Sequence, residues 1–82
     1  ADFQKLNDRQ YLMQGSVEFD VLSEMFGVEN DTSSSTLGGY IMSTLGHIPS
    51  AGETLQLASL ELEIKKMHHH RVDQVLVTEQ QP

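Results

Sequence analysis

Apolar residues recur along this chain with two different periods, and the change from one to the other divides it into helical and extended parts. Near the start, Phe3-Gln4-Lys5-Leu6 and Tyr11-Leu12-Met13 are short strand-like runs on either side of Asn7-Asp8-Arg9-Gln10. Asn and Asp tolerate the backbone angles of tight turns, so these runs predict an opening hairpin. Gly15-Ser16 interrupts the pattern. Phe19, Leu22, Met25 and Phe26 then fall three or four positions apart, the apolar stripe of a helix over residues 17–26. Ser16 stands where a hydroxyl caps such a helix, Glu18 and Asp20 complement its positive end, and Gly27 suits a left-handed C-terminal cap.

Residues 28–35 are polar, with three serines in a row, and predict a mobile loop outside the core. Ser35 or Thr36 caps a second helix, in which Leu37, Ile41 and Leu45 recur every four residues beside Tyr40 until Gly46 and Pro49 end it. From there the period becomes two. Residues 53–57, 60–67 and 71–78 are rich in aliphatic and β-branched side chains and read as three closing strands. In the middle one Leu60, Leu62 and Ile64 alternate with Glu61, Glu63 and Lys65, so one face of the sheet is covered and the other is wet. Val72 is out of phase with Val75 and Val77, which predicts a bulge near Asp73-Gln74, and the polar end Glu79-Gln80-Gln81-Pro82 is expected to fray. The fold class is α+β: two short helices packed on one face of a mainly antiparallel sheet. Their aliphatic side chains share one interior, with no concave, chemically equipped cleft expected.

Composition narrows the setting. At 82 residues the chain forms one domain, residues 1–82, whose core supplies only about 3–5 kcal/mol. It has no cysteine, so support comes from packing, self-association or the rest of a longer protein. Open strand edges predict a homodimer. Twelve Asp and Glu against five Lys and Arg give a net charge of −7, a field that repels nucleic acid and anionic membrane surfaces. Apolar runs such as Tyr40-Ile41-Met42 are far shorter than the roughly 20 residues that cross a bilayer, so no direct membrane insertion is expected. The chain opens on Ala1 with no basic and apolar leader, which reads as the boundary of a piece of something longer.

Candidate chemistry is sparse. His68-His69-His70 offers imidazoles for zinc, nickel or copper, but a strand puts only His68 and His70 on one face, with Asp73 alone as a third ligand. A solvated turn is the simpler account. His47 is placed to bind the last carbonyls of the second helix. Gly38-Gly39 lies at a helix N-terminus, where free amides can cradle an anion, yet no GxGxxG or P-loop lysine accompanies it, and close helix packing explains the glycines better. Glu29, Asn30 and Asp31 carry oxygen ligands for magnesium or calcium without EF-hand spacing, and read as a solvated loop. The serines lack a nucleophile elbow, and Met13, Met25, Met42 and Met67 read as core fillers. No catalytic residue, no metal ligand set and no cofactor-binding residue is assigned.

Three stretches resemble the CorC/HlyC-type transporter-associated domain. The first is Leu6 to Gly27, a hairpin with a Tyr-Leu-Met strand, Gly-Ser, and an acidic helix ending Met-Phe-Gly. The second is Thr36-Leu37-Gly38-Gly39-Tyr40 through Leu45-Gly46-His47-Ile48-Pro49 to Gly52-Glu53, similar to the family's Thr-hydrophobic-Gly-Gly helix and the Leu-Gly-basic-Ile-Pro after it. The third runs from Leu62 to Val77, around a tight turn. Asp8-Arg9 and His68-His69 stand where the family places Asp-Gly, and Glu18 where it often has Pro. The resemblance implies a non-catalytic C-terminal module on the cytoplasmic side of the membrane, following a membrane region and paired CBS domains. Those domains of the same parent protein are the implied partners, in magnesium and cobalt efflux or hemolysin-like proteins, with modulation of ion transport as the role. It also implies similarity to a flavin-binding fold, which makes FAD or another adenine nucleotide the alternative ligand and Gly38-Gly39 its first candidate place.

Overall fold

Leu60, Leu62 and Ile64 are fully buried, as their two-residue spacing requires, and they form the centre of a sheet that organises the molecule. The computed structural model describes residues 3–80. In chain order its elements are β1 (Phe3–Lys5), β2 (Gln10–Gln14), α1 (Phe19–Phe26), α2 (Leu37–Leu45), β3 (Thr54–Leu57), β4 (Leu60–His68) and β5 (Arg71–Glu79). The strands form one antiparallel sheet in the order β1-β2-β5-β4-β3, with β1 and β3 as its edges. Met13 pairs with Val75, and Val75 with Ile64, so one row of apolar side chains crosses three strands beneath the helices. The α+β architecture expected from the sequence is the one observed.

Both helices bury the predicted stripes. Phe19 and Leu22 of α1 and Leu37, Tyr40 and Ile41 of α2 are buried, with Met25, Phe26 and Leu45 packed at the margin. The Phe19 and Tyr40 rings, 4.8 Å apart, join the helices, and Tyr11 meets Phe26 edge-on at 5.3 Å to join α1 to the sheet. Gly27 and Gly46 end the helices at φ 71° and 75°, in the left-handed region that glycine enters without steric cost.

Helix α1 starts later than expected. Val17 is only 3% exposed, and its carbonyl accepts a hydrogen bond from the Leu37 amide at 2.9 Å. That contact holds it in the core, outside the helix. Glu18 is the N-cap residue, without a capping side-chain bond, and bridges Thr36 as an isolated β pair. Ser16 does not cap; its hydroxyl lies 3.5 Å from the Gln14 side-chain oxygen. For α2 the cap is Thr36, whose hydroxyl accepts from the Gly39 amide at 3.1 Å.

The loop over residues 28–35 does not lie wholly outside the core, contrary to the expectation from its polar composition. Val28 is buried in the core, and the Asn30 side chain organises the polar residues around itself. Its Nδ2 donates to the Ser34 carbonyl at 2.5 Å, and its Oδ1 accepts from the Thr32 amide at 2.9 Å and hydroxyl at 2.7 Å. Polar composition here builds an internally bonded turn.

The bulge predicted near Asp73-Gln74 is one of two. Pairing passes from Ile64 with Val75, to Lys66 with Gln74, to Met67 with Val72, leaving Lys65 and then Asp73 without a partner. The extra residue on β4 offsets the one on β5, which returns Met67 and Val72 to the core side. The expected fraying does not extend to Glu79, which lies in β5, or to Gln80, whose amide donates to the Ser59 carbonyl at 2.8 Å; Gln81 and Pro82 lie outside the described residues. No helix among the described residues is long and apolar enough to cross a membrane.

Candidate functional site

The β5 bulge, the Gly15-Ser16 turn and the start of α2 meet at one end of the sheet. Gly15 donates from its amide to the Asp73 carbonyl at 2.9 Å, and its own carbonyl accepts from the Gly38 amide at 2.9 Å. Helix α2 is thereby drawn onto the sheet. A Cβ on Gly38 would lie 3.1 Å from the Gly15 carbonyl oxygen and 3.3 Å from the Val72 Cβ, so Gly38 is there for close packing, as the sequence suggested.

That contact leaves a groove of about 410 Å³, which the sequence did not lead us to expect. Gly15, Gly38, Gly39, Met42 and Val72 supply its apolar lining. Ser16, Thr36, His68, Arg71 and Asp73 supply its polar lining. Its volume falls within the range of small-molecule sites, roughly 300–1,000 Å³. Three segments distant in sequence build it, so no local motif announces it; the two sequence signals are the Gly15-Ser16 break and the bulge at Asp73.

Free amides at the start of α2 are absent from this groove. The Leu37 amide donates to the Val17 carbonyl and the Gly38 amide to the Gly15 carbonyl, while Gly39 donates to the Thr36 hydroxyl and Tyr40 to the Thr36 carbonyl. Each of these four backbone amides is already bonded within the fold and cannot cradle a phosphate. The backbone cradle considered for a flavin or adenine nucleotide at Gly38-Gly39 is therefore closed.

The other candidates separate. His68 ends β4 and lines the groove, while His69 occupies the turn at φ 58° with its ring 4.4 Å from that of His68. Asp73, the proposed third ligand, lies 3.8 Å from the Lys66 ammonium. Among the described residues no three His, Asp or Glu side chains converge to hold a metal ion. Glu29 and Asp31 are exposed, and the Asn30 side chain is spent on the loop. Met13 is fully buried, Met25, Met42 and Met67 pack against the core, and Met42 also reaches the groove.

His47 does bind the end of α2, through Nδ1 and the Leu45 carbonyl at 3.1 Å, and it has a second partner that the sequence reading missed. Its Nε2 lies 2.9 Å from Glu53 Oε1, and Glu53 Oε2 accepts from the Ser50 amide at 2.6 Å. The Glu53 hydrogen bond and charge raise the His47 pKa above the ordinary imidazole value. The same bond, with that from Ser50, holds Glu53 below the ordinary carboxylate range.

Known proteins resemble this chain over nearly its full length. A UPF0053 protein of Synechocystis is 32% identical over 77 residues, 88% of this chain and 17% of that protein. The magnesium and cobalt efflux protein CorC of Escherichia coli is 27% identical over 77 residues, 93% of this chain and 26% of that protein. The chain thus spans about a quarter or less of the curated relatives it matches. Among solved structures, the transporter-associated domain of a Xylella fastidiosa hemolysin, in complex with Mg and Mn ions, superposes with a TM-score of 0.87 at 30% identity, covering 99% of this chain and 100% of that one. A CorC-associated region from Neisseria meningitidis gives 0.89 at 20% identity, covering 96% and 99%, a likeness of fold. The model of the transporter associated domain, CorC_HlyC, matches residues 4–81, and the chain belongs to that family.

Proposed function

We propose that this chain is a non-catalytic regulatory and assembly module at the C-terminal end of a longer membrane protein, on the cytoplasmic side, and that it modulates cation efflux of the magnesium and cobalt type. The observation that carries this reading is the alignment of 93% of the chain with about a quarter of the magnesium and cobalt efflux protein CorC. Such a module acts through contact. Its helices cover one face of the sheet, while the other presents Gln10, Gln14, Glu61, Glu63, Gln74 and Thr78 for polar contact with the CBS and membrane domains of the parent. Binding there shifts the transporter between conformations only as far as it favours one of them.

Deleting this segment from its parent transporter and measuring cobalt efflux from loaded cells tests the reading. The expected result is altered concentration dependence of efflux with normal insertion of the membrane region; unchanged efflux at every cobalt concentration overturns it. Self-association through the open edges at β1 or β3 belongs to the same reading. Sedimentation that finds only monomer at high concentration removes that part.

A further inference from the structure

The side chains that line the groove balance in charge, while the molecule as a whole is strongly negative. Within a chain of net charge −7, the groove carries one arginine, one histidine and one aspartate. The aspartate is partnered, since Asp73 lies 3.8 Å from Lys66. Arg71 forms no ion pair with any described residue and is exposed at the groove edge, opposite His68 across the β4–β5 turn. Two hydroxyls also line it. Thr36 uses its oxygen to accept from the Gly39 amide and keeps its O–H to donate, and Ser16 is exposed with only a long contact to Gln14. The α2 amides take no part, because each is bonded within the fold.

We propose that this groove binds the phosphate group of a small phosphate monoester. A guanidinium matches phosphate oxygens in a bidentate fork, and the Ser16 and Thr36 hydroxyls of the same lining are donors for the third oxygen. A planar carboxylate has two oxygens, one fewer for these donors. Met42, Val72 and the lining glycines provide the apolar surface on which the organic part of the ester lies. The glycines matter in this lining because a larger residue at Gly15 or Gly38 would meet the backbone.

Backbone amide NMR of the chain, titrated with glycerol 3-phosphate, inorganic phosphate, succinate and glycerol, tests this. Saturable shifts at Gly15, Gly38 and Gly39 with both phosphates, weaker ones with succinate and none with glycerol are expected. Arg71→Gln should keep the spectrum of the folded chain and weaken glycerol 3-phosphate binding by about tenfold or more, the scale of a lost charge-assisted hydrogen bond. Ser16→Ala should weaken it by a few fold, and added salt should weaken binding to the wild type. Shifts that never saturate, binding no weaker in Arg71→Gln, or equal binding of succinate and glycerol 3-phosphate overturns the proposal.

Discussion

The carbonyl oxygen of Val72 occupies the space where Gly15 would carry a side chain: a Cβ built on Gly15 lies 1.8 Å from that oxygen. No rotamer change relieves such a contact, because the obstacle is backbone at the bulge where β5 changes register. Gly15→Ala should cost about 3 kcal/mol or more, as overpacking does when nothing can move aside. That approaches the whole stability of a core this small, so urea denaturation should find the variant largely unfolded in water. A variant with the wild-type midpoint would show that the turn is looser than its geometry indicates.

The link between His47 and Glu53 makes the corner from α2 to β3 sensitive to pH at both ends of a window. His47 is raised, so its contribution is complete below the ordinary imidazole value and is lost as pH rises through the higher folded value. Glu53 is lowered, so its contribution is complete above the ordinary carboxylate value and is lost as pH falls through the lower folded value. Between the two ordinary values both are present. An NMR titration should find the His47 midpoint falling toward the ordinary value in Glu53→Gln; no movement would mean that the carboxylate is not its partner.

Asn30→Ala should destabilise the chain by about 1–2 kcal/mol, because three hydrogen bonds from one side chain hold residues 30–34. Hydrogen exchange should show the Thr32 amide losing protection in the variant while the amides of β4 change far less. Uniform loss across the sheet would place the effect elsewhere.

Ala58 turns the chain between β3 and β4 at φ 53°, a left-handed conformation that strains any residue with a Cβ. Relief of that strain exceeds the extra freedom glycine has in the unfolded chain, so Ala58→Gly should raise stability by about 1 kcal/mol. In a chain of this length that is a rise of about 4–8 °C in Tm. A lower Tm would contradict it.

The sequence alone determined the elements and their buried faces. Helix stripes at Phe19, Leu22, Leu37 and Ile41, strand alternation at Leu60, Leu62 and Ile64, and helix ends at Gly27 and Gly46 are local signals, set by neighbours a few residues away. The out-of-phase Val72 showed the bulge on β5 for the same reason. The compensating one at Lys65 stayed hidden, because a bulge is defined by pairing with another strand. Val17 and Val28 were misplaced for a related reason. Each is drawn into the core by partners far along the chain, and local polarity or capping potential carries no record of them. Only the tertiary structure decided that Gly15, Gly38 and Val72 touch, and in doing so it both closed the α2 amides to a ligand and opened the groove beside Arg71. Backbone contact between distant segments has no period and no motif, so its consequences appear when the chain is folded.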